Sequence, residues 1–385
     1  MNMLYIAALF LAAAALAGIA YQVAAAWLVW QFARATAGQP VDRPGVSVLK
    51  PLHGEEPGLA ENLRALCRQD YPGFQIVCGT LDPGDPALPV ASAVRDEFPE
   101  VDMIVIGGRV APGDAKNRKV ANLENLMAHA KHDILVLADS DVRAGVHCLG
   151  DAVAALEARG IGIATCLYVG RPEPDLWSRL EALWINHAFL PSALVARAVG
   201  RHDGCFGATI ALHRETLERV GGLARLRDAL ADDWALGAAV RRLGLGIGLV
   251  ARPVEIVVHH PNMGSMLAHE LRWGRTIAAL DRVGYSASVV TQPVVFALLA
   301  ALAGLFAAPF LAVLVTALAA RLIAIRVQEW ALGLGRAPIY LLVLREFLTF
   351  ALFVAALSGR TVRWRGLRYR IRPDGTMQPL EDNPR

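Results

Sequence analysis

Charged residues are scarce in this sequence. Lys, Arg, Asp and Glu make up only 19% of the 385 residues, whereas about 25% is typical of soluble domains. The net charge is a modest +3, and the basic residues lie near the borders of apolar segments instead of forming a stripe. This distribution argues against a nucleic-acid partner. Residues 3–30 carry no charge at all, which points to a membrane protein.

Paired cysteine spacing is missing as well. The cysteines are odd in number and none stands in a CxxC motif; they are Cys67, Cys78, Cys148, Cys166 and Cys205. Disulfide frameworks and cysteine-based zinc sites require such spacing. We therefore expect reduced thiols in a cytosolic compartment and no structural zinc. Internal repeats are also absent, and the only biased stretches are the Ala/Leu-rich apolar ones.

The first of three hydrophobic regions covers residues 3–30. It is long enough to cross a bilayer, because about 20 helical residues span the hydrocarbon layer. A cleaved signal peptide is the alternative, but no positive charge precedes the run and the run is too long. We predict an anchor. Trp27, Trp30 and Arg34 follow the pattern of an inner membrane border, so the N-terminus should lie outside.

The other hydrophobic regions cover about 288–325 and 338–357. In the region 288–325, Gly and Pro at 304–309 allow either one long helix or two short spans. The region 338–357 carries Arg345 and Glu346, which must face protein or water at membrane depth. The arginine-rich end beyond Ser358 predicts a cytoplasmic tail that touches anionic lipid. A cytoplasmic catalytic domain then requires an even number of crossings between that domain and this tail, and the sequence leaves that number open.

Residues 45–260 alternate strand-like and helix-like segments, which predicts an α/β sheet. The expected strands are residues 46–50, 74–78, 102–106, 134–138, 161–168 and 208–213. The whole chain then divides into an N-terminal anchor (1–33), a catalytic domain (45–260), an interfacial amphipathic helix (261–285), a transmembrane region (286–358) and a basic cytoplasmic tail (359–385).

The most informative feature is an acidic triplet after the apolar run at 134–138. Asp139 and Asp141 flank Ser140, at the strand end where ligands bind in open α/β sheets. Two such carboxylates can hold a divalent cation against a nucleotide diphosphate. A solvated turn is the simpler interpretation of the triplet alone. Asp82 likewise follows the expected strand at 74–78.

Three further segments carry charge at helix starts or on a helix face. Asp232 and Asp233 open a predicted helix, where acidic residues also serve as simple dipole partners. Lys119 lies in a helix that begins near residue 117. Arg272 and Trp273 lie in a helix over 265–280, just before the hydrophobic C-terminal region. A basic helix at the membrane surface suits this segment, and its arginine could clamp a diphosphate.

The order of these features resembles a known group of enzymes. Asp82, the triplet 139–141, Asp233 and the pair Arg272-Trp273 resemble the D, D(x)D, D, (Q/R)xxRW signature of membrane-anchored inverting glycosyltransferases with a GT-A fold. His269 departs from it, because it stands where the wider family has Gln or Arg. The resemblance implies an α/β, Rossmann-like domain flanked by N-terminal and C-terminal transmembrane helices.

Short segments narrow the resemblance, which covers residues 45 to 285. The segments 46–54 (VSVLKPLHG), 69–72 (QDYP) and 204–209 (GCFGAT) resemble the ceramide glucosyltransferase group. Within it, 166–172 (CLYVGRP) and 269–273 (HELRW) are most similar to bacterial hopanoid-biosynthesis glycosyltransferases.

The resemblance implies partners and a location. The donor would be a UDP-sugar, namely UDP-N-acetylglucosamine, and the acceptor the hydroxyl of a hopanoid polyol. The near alternative is a ceramide glucosyltransferase that uses UDP-glucose. The enzyme would lie in the bacterial inner membrane with its catalytic domain in the cytoplasm. A processive polysaccharide synthase and a non-catalytic lipid-binding protein are the remaining alternatives; few spans and the intact carboxylate set argue against them.

The resemblance also implies residue roles. Asp82 would accept a hydrogen bond from uracil, while Asp139 and Asp141 would hold Mg²⁺ or Mn²⁺, with Asp141 as the direct ligand. Lys119 and Arg272 would add positive charge near the nucleotide or the leaving group. Asp233 would be the general base. Trp273 would stack on sugar or acceptor, although a packing role is equally open.

Overall fold

The computed structural model describes residues 3–108, 116–364, 367–372 and 376–380. Its helices are α1 (Met3–Ala33), α2 (Leu59–Cys67), α3 (Ala87–Glu97), α4 (Arg118–Met127), α5 (Cys148–Leu156), α6 (Leu176–Trp184), α7 (Leu190–Ala198), α8 (Arg214–Arg219), α9 (Asp232–Arg242), α10 (Met263–Leu280), α11 (Arg282–Ala287), α12 (Pro293–Ala303), α13 (Ala308–Ala331) and α14 (Ile339–Leu357). Its strands are β1 (Val46–Pro51), β2 (Phe74–Thr80), β3 (Asp102–Gly107), β4 (Ile134–Ala138), β5 (Val142–Arg143), β6 (Ile161–Thr165), β7 (Tyr168–Pro172), β8 (Thr209–His213), β9 (Gly246–Leu249), β10 (Val254–Val258), β11 (Thr361–Trp364), β12 (Leu367–Ile371) and β13 (Met377–Pro379).

A seven-stranded sheet of order β3-β2-β1-β4-β8-β6-β9 forms the centre of the fold. Its pairs are parallel except where β8 runs antiparallel to β4 and β6. The predicted α/β class is therefore confirmed. Because β1, β2 and β4 are parallel neighbours, their carboxyl ends meet at one edge of the sheet. Asp82 and the 139–141 triplet follow two of these ends.

The prediction of one strand over residues 161–168 was wrong. The chain forms β6 and β7, which belong to different sheets: β7 joins β5 and β10 in a three-stranded sheet of order β5-β10-β7. At the break, Cys166 N bonds Thr209 O at 3.0 Å while Leu167 O accepts from Val254 N at 2.9 Å. An apolar run that is buried throughout contains no polar signal for such a change of partner.

The sheet buries apolar side chains on both faces. On β1 and β2, Val48 and Ile76 belong to one core cluster, whereas Leu49 and Val77 belong to the other. The alternation follows from the two-residue period of a strand. Burial on both faces explains why the sequences of these strands are continuous apolar runs.

The helices α1, α13 and α14 are each long and apolar enough to cross a membrane. The second apolar region is not one long helix: α12 ends at Ala303, and Leu305 and Phe306 adopt positive φ values of 50° and 55° before α13 begins. The segment Arg282–Thr291 and α12 meet at a bend of 67°, and counting that pair as one span gives up to four crossings.

Arg345 and Glu346 on α14 are both buried against protein. Arg345 donates two hydrogen bonds of 2.6 Å to the carboxylate of Glu270 on α10. Glu346 accepts one of 2.6 Å from Arg321 on α13. These pairs satisfy the expectation that ionisable groups in such a segment face protein. Beyond α14, the C-terminal region forms a small antiparallel sheet, β11-β12-β13.

Candidate active site

A cavity of about 730 Å³ opens at the carboxyl ends of the central strands. All the residues predicted from the sequence as site residues line it; they are Asp82, Lys119, Asp139, Asp141, Asp233, Arg272 and Trp273. The structure thus brings together side chains from five separate segments. Thr276, Ile277 and Leu280 extend the lining along α10, whose other contacts include α14, a candidate membrane span.

The 139–141 loop is fixed from below by a buried lysine that sequence reasoning missed. Lys50, at the end of β1, donates to the carbonyl oxygens of Asp139 at 2.6 Å and Val142 at 3.1 Å. Its relative exposure is 0%, and burial lowers its pKa to about 8. Asn62 adds a bond to Ser140 O at 3.2 Å. The sequence did contain a signal for this role, namely a lysine near the end of a strand that is expected to be buried. Lysine is almost never fully buried without a partner, so such a position predicts a polar contact.

Asp139 and Asp141 differ in their partners. Asp139 Oδ1 lies 2.6 Å from Lys119 Nζ, which neutralises part of its charge. Asp141 has no such ion pair among the described residues, and burial, Asp139 and Glu56 raise its pKa to about 7. Asp139 and Glu56 therefore act on Asp141 with more negative charge than Lys50 and Lys119 compensate.

This donor set fits a hard divalent cation. Mg²⁺ and Mn²⁺ prefer carboxylate oxygens, and the raised pKa of Asp141 indicates negative charge that a cation would relieve. Glu56 is a third carboxylate here that sequence reasoning missed. Burial raises its pKa, while its hydrogen bond with Ser140 opposes that rise.

The adjacent acids at the start of α9 have different surroundings. Asp232 lies 3.3 Å from Lys119 Nζ and accepts from Asn117 Nδ2 at 3.3 Å. Asp233 accepts only from the backbone N of Trp234, at 2.7 Å, among the described residues. Burial and then the neighbouring Asp232 raise its pKa to about 6. Asp233 is thus the acid of the pair that is free to take up a proton.

Lys119 is positioned by the start of α4. Asn117 caps this helix by accepting from the backbone N of Lys119 and Val120, an arrangement typical of an N-cap. Burial opposes the charge of Lys119, but the carboxylates of Asp139 and Asp232 raise its pKa. The ammonium group therefore stays charged between the loop and α9.

Arg272 brings a further positive charge to the cavity lining. It forms no ion pair in the part of the chain that the structure describes, and burial lowers its pKa while Glu181 and Asp233 oppose that shift. An unpaired guanidinium facing a cavity is suited to a phosphate or carboxylate ligand.

Trp273 belongs to an aromatic cluster. Its ring centroid lies 5.5 Å from that of Trp184, 5.9 Å from Phe189 and 5.1 Å from His269. It packs against the core and also lines the cavity. Phe189, missed from the sequence, lies in a π-helical turn over Ile185–Phe189, a feature frequent at functional sites.

Asp82 lies at the exposed rim. Its Oδ1 accepts from the backbone N of Gly84 at 2.8 Å, which fixes the turn after β2. Nearby, Asp85 accepts from Gly54 N at 2.9 Å and ties the β1 loop to the same turn.

Comparison with known proteins identifies relatives. The family model described as glycosyl transferase family 21 matches residues 10–377. Over 125 residues the chain is 33% identical to a ceramide glucosyltransferase of Komagataella phaffii, covering 32% of this chain and 25% of that protein. It is 21% identical to ceramide glucosyltransferase 3 of Caenorhabditis elegans over 233 residues, 60% of this chain and 50% of that protein. The chain therefore spans between a quarter and half the length of these curated relatives.

Among solved structures, the chain is similar to the mannosyltransferase PcManGT from Pyrobaculum calidifontis, determined with GDP-Man and Mn²⁺. The TM-score is 0.51 at 22% identity, covering 92% of this chain and 98% of that chain. At this identity the similarity concerns the fold alone.

Proposed function

This chain belongs to glycosyl transferase family 21, and from that membership we propose that it transfers a sugar from a UDP-sugar to the hydroxyl of a membrane lipid. The observation that carries the proposal is the position of Asp233. Its half-buried carboxylate, with a pKa raised to about 6, shares one cavity with the Asp139–Asp141 loop and the cations Lys119 and Arg272. A base, a diphosphate clamp and an opening beside candidate membrane helices are what such a transfer needs.

The reaction we propose is a single displacement. The acceptor hydroxyl attacks C1 of the sugar from the face opposite the leaving group, Asp233 takes its proton, and the bond between C1 and the UDP oxygen breaks. The configuration inverts, so an α-linked donor gives a β-glycoside.

The cavity side chains have distinct proposed roles. Asp82 at the rim accepts from the uracil ring, and Trp273 presents an aromatic face toward sugar or acceptor. Lys119 and Arg272 stabilise the negative charge that grows on the departing diphosphate. Asp139 and Asp141 would hold Mg²⁺ or Mn²⁺, which neutralises the same charge when bound. Manganese with a nucleotide sugar in the similar mannosyltransferase structure supports this cofactor.

The acceptor is proposed to reach the site from the bilayer. Exposing a lipid chain to water costs about 0.8 kcal/mol per CH₂, so a lipid hydroxyl is best delivered while its body remains in the membrane. Ile277 and Leu280 extend the cavity along α10, next to the candidate span α14. We propose residues 45–260 as the catalytic domain, α10 as the interfacial helix, and the bacterial inner membrane, with a cytoplasmic site, as the location.

The acceptor class has two candidates. The segments 166–172 and 269–273 favour a hopanoid polyol, with UDP-N-acetylglucosamine as donor. The names of the curated relatives favour a ceramide, with UDP-glucose as donor. Both candidates use the same donor clamp and the same base.

The test is incubation of membranes containing the chain with labelled UDP-sugars and with candidate lipids. We expect a mono-glycosylated lipid from the native chain and none from Asp233→Asn. A hexosylceramide as the only product would replace the hopanoid candidate. Turnover by Asp233→Asn equal to that of the native chain would overturn the proposed base, and a polymer product would overturn the proposed reaction.

A further inference from the structure

One cluster of metal-ligating side chains lies beside the cavity and has no part in the proposed reaction. Glu181 on α6, His260 just after β10 and His269 on α10 place one carboxylate oxygen and two ring nitrogens within 4.8 Å of one another. Glu181 Oε1 lies 2.6 Å from His269 Nδ1, and Oε2 contacts His260 Nε2. Three segments that are distant in sequence thus converge on one point.

The cluster pairs one carboxylate with two histidine side chains, and two of its three members are largely shielded from solvent. The side chains of Glu181 and His260 are only 2% and 12% exposed. The carboxylate of Glu181 is therefore withdrawn from solvent. Among the described residues, the two histidines are its only ion-pair partners.

We propose that Glu181, His260 and His269 form a binding site for a transition-metal ion of the zinc class, separate from the Asp139–Asp141 carboxylates. Imidazole nitrogen suits zinc, copper and nickel, whereas Mg²⁺ prefers oxygen. Two histidines and one glutamate form a known three-ligand zinc set with a fourth position open. Zinc bonds of about 2.1 Å place tetrahedral ligand atoms about 3.4 Å apart, so small rotations of these side chains suffice.

The position of His269 gives the site a structural consequence. His269 is the most exposed member, at 31%, and lines the cavity, so an ion enters from that side. Arg272 and Trp273 follow one turn later on α10. An ion bound here joins α10 to α6 and to the end of β10, and thereby fixes the helix that carries Arg272. This consequence rests on the proposed function, whereas metal binding itself does not.

The test uses the purified full chain in detergent, stripped of metal and titrated with Co²⁺ and Zn²⁺ in saturating Mg²⁺. We expect one equivalent of Co²⁺ with the visible absorption of a tetrahedral site, displaced by Zn²⁺. His260→Gln and Glu181→Gln should each weaken binding at least tenfold. His259→Gln, at the exposed neighbouring histidine, is the matched control and should bind as the native chain does.

Two further variants keep the proposal falsifiable. Asp139→Asn/Asp141→Asn should retain the Co²⁺ spectrum; its loss there would assign binding to the carboxylate loop and overturn the proposal. His260→Cys keeps a ligand and should add a sulfur-to-cobalt charge-transfer band in the near ultraviolet, even if His260→Gln folds poorly. No Co²⁺ bound by the folded native chain, or no new band from folded His260→Cys, would also overturn it. These spectra are independent of sugar transfer, so the two proposals fail separately.

Discussion

The ammonium group of Lys50 donates a hydrogen bond of 2.6 Å to the backbone carbonyl of Asp139. The lysine is fully buried beneath the acidic loop, so it both holds the loop backbone and offsets the charge of the carboxylates above it. No other described lysine is buried in the same way.

Lys50→Met should therefore reduce both stability and turnover. Two backbone carbonyls lose their donor, which costs about 1–3 kcal/mol of unfolding free energy when the acceptors stay buried. We expect turnover to fall at least tenfold at saturating donor. Thermal unfolding in detergent and a sugar-transfer assay measure the two effects. Lys131→Met is the control, because Lys131 is 53% exposed and pairs with Asp102 at the surface. Native turnover in Lys50→Met would contradict this role.

The raised pKa of Asp233, to about 6, predicts how turnover depends on pH. The base acts only when it is deprotonated, so kcat/KM should increase through about pH 6 and level off above it. The measurement is a kcat/KM profile from pH 5 to 8, in buffers of constant ionic strength. A profile that is flat across this range would remove Asp233 as the titrating base.

Asp233→Asn should abolish transfer and stabilise the fold at high pH. A carboxyl whose pKa is raised in the folded state binds its proton more tightly there than when unfolded, so its contribution to stability is lost as pH rises through about 6. The increase in Tm of Asp233→Asn over the native chain should thus be larger at pH 8 than at pH 4. Asp228→Asn, at a side chain 53% exposed, controls for loss of a surface charge. An equal difference at both pH values would contradict the argument.

Removal of the divalent metal should stop turnover and leave the negative charge of Asp141 uncompensated. We expect a chelator to abolish transfer and Mn²⁺ or Mg²⁺ to restore it. Asp141→Asn should raise the Mn²⁺ concentration required at least tenfold, because one anionic ligand is lost. Asp96→Asn, at a side chain 70% exposed, should need no more metal than the native chain. Full activity in the presence of chelator would contradict the assigned cofactor.

The buried pair Arg345–Glu270 should dominate the attachment of α10 to α14. Both side chains are at most 4% exposed, so Arg345→Met leaves a carboxylate buried without its partner, which costs about 3–5 kcal/mol. The double variant Arg345→Met/Glu270→Gln should recover part of that loss. Thermal unfolding of both variants measures the coupling. Arg95→Met, in an exposed pair, should change stability by less than about 1 kcal/mol; an equal effect from both arginines would contradict the prediction.

Most of the central sheet was predictable from the sequence, because strand patterns are local. The runs at 46–50, 74–78, 102–106 and 134–138 match β1 to β4 within two residues. The acidic residues after these strands could be found for the same reason, since the end of an apolar run is visible in one sequence. The change of sheet at Cys166 and Leu167 could not, because residues 162–170 around it are all buried and uncharged.

The sequence by itself determined that apolar segments lie on both sides of an α/β region, and that acidic residues stand where its strands stop. Periodicity, strand ends and uncharged runs are properties of neighbouring residues, so these conclusions needed no coordinates. Only the tertiary structure decided that Lys119 forms an ion pair with Asp139, whereas the negative charge of Asp141 is left without an ion-pair partner among the described residues. It also decided that Glu181 meets His269 across 88 positions and Arg345 meets Glu270 across 75. Packing sets these distances, and no local pattern in the chain encodes which buried charge will face which.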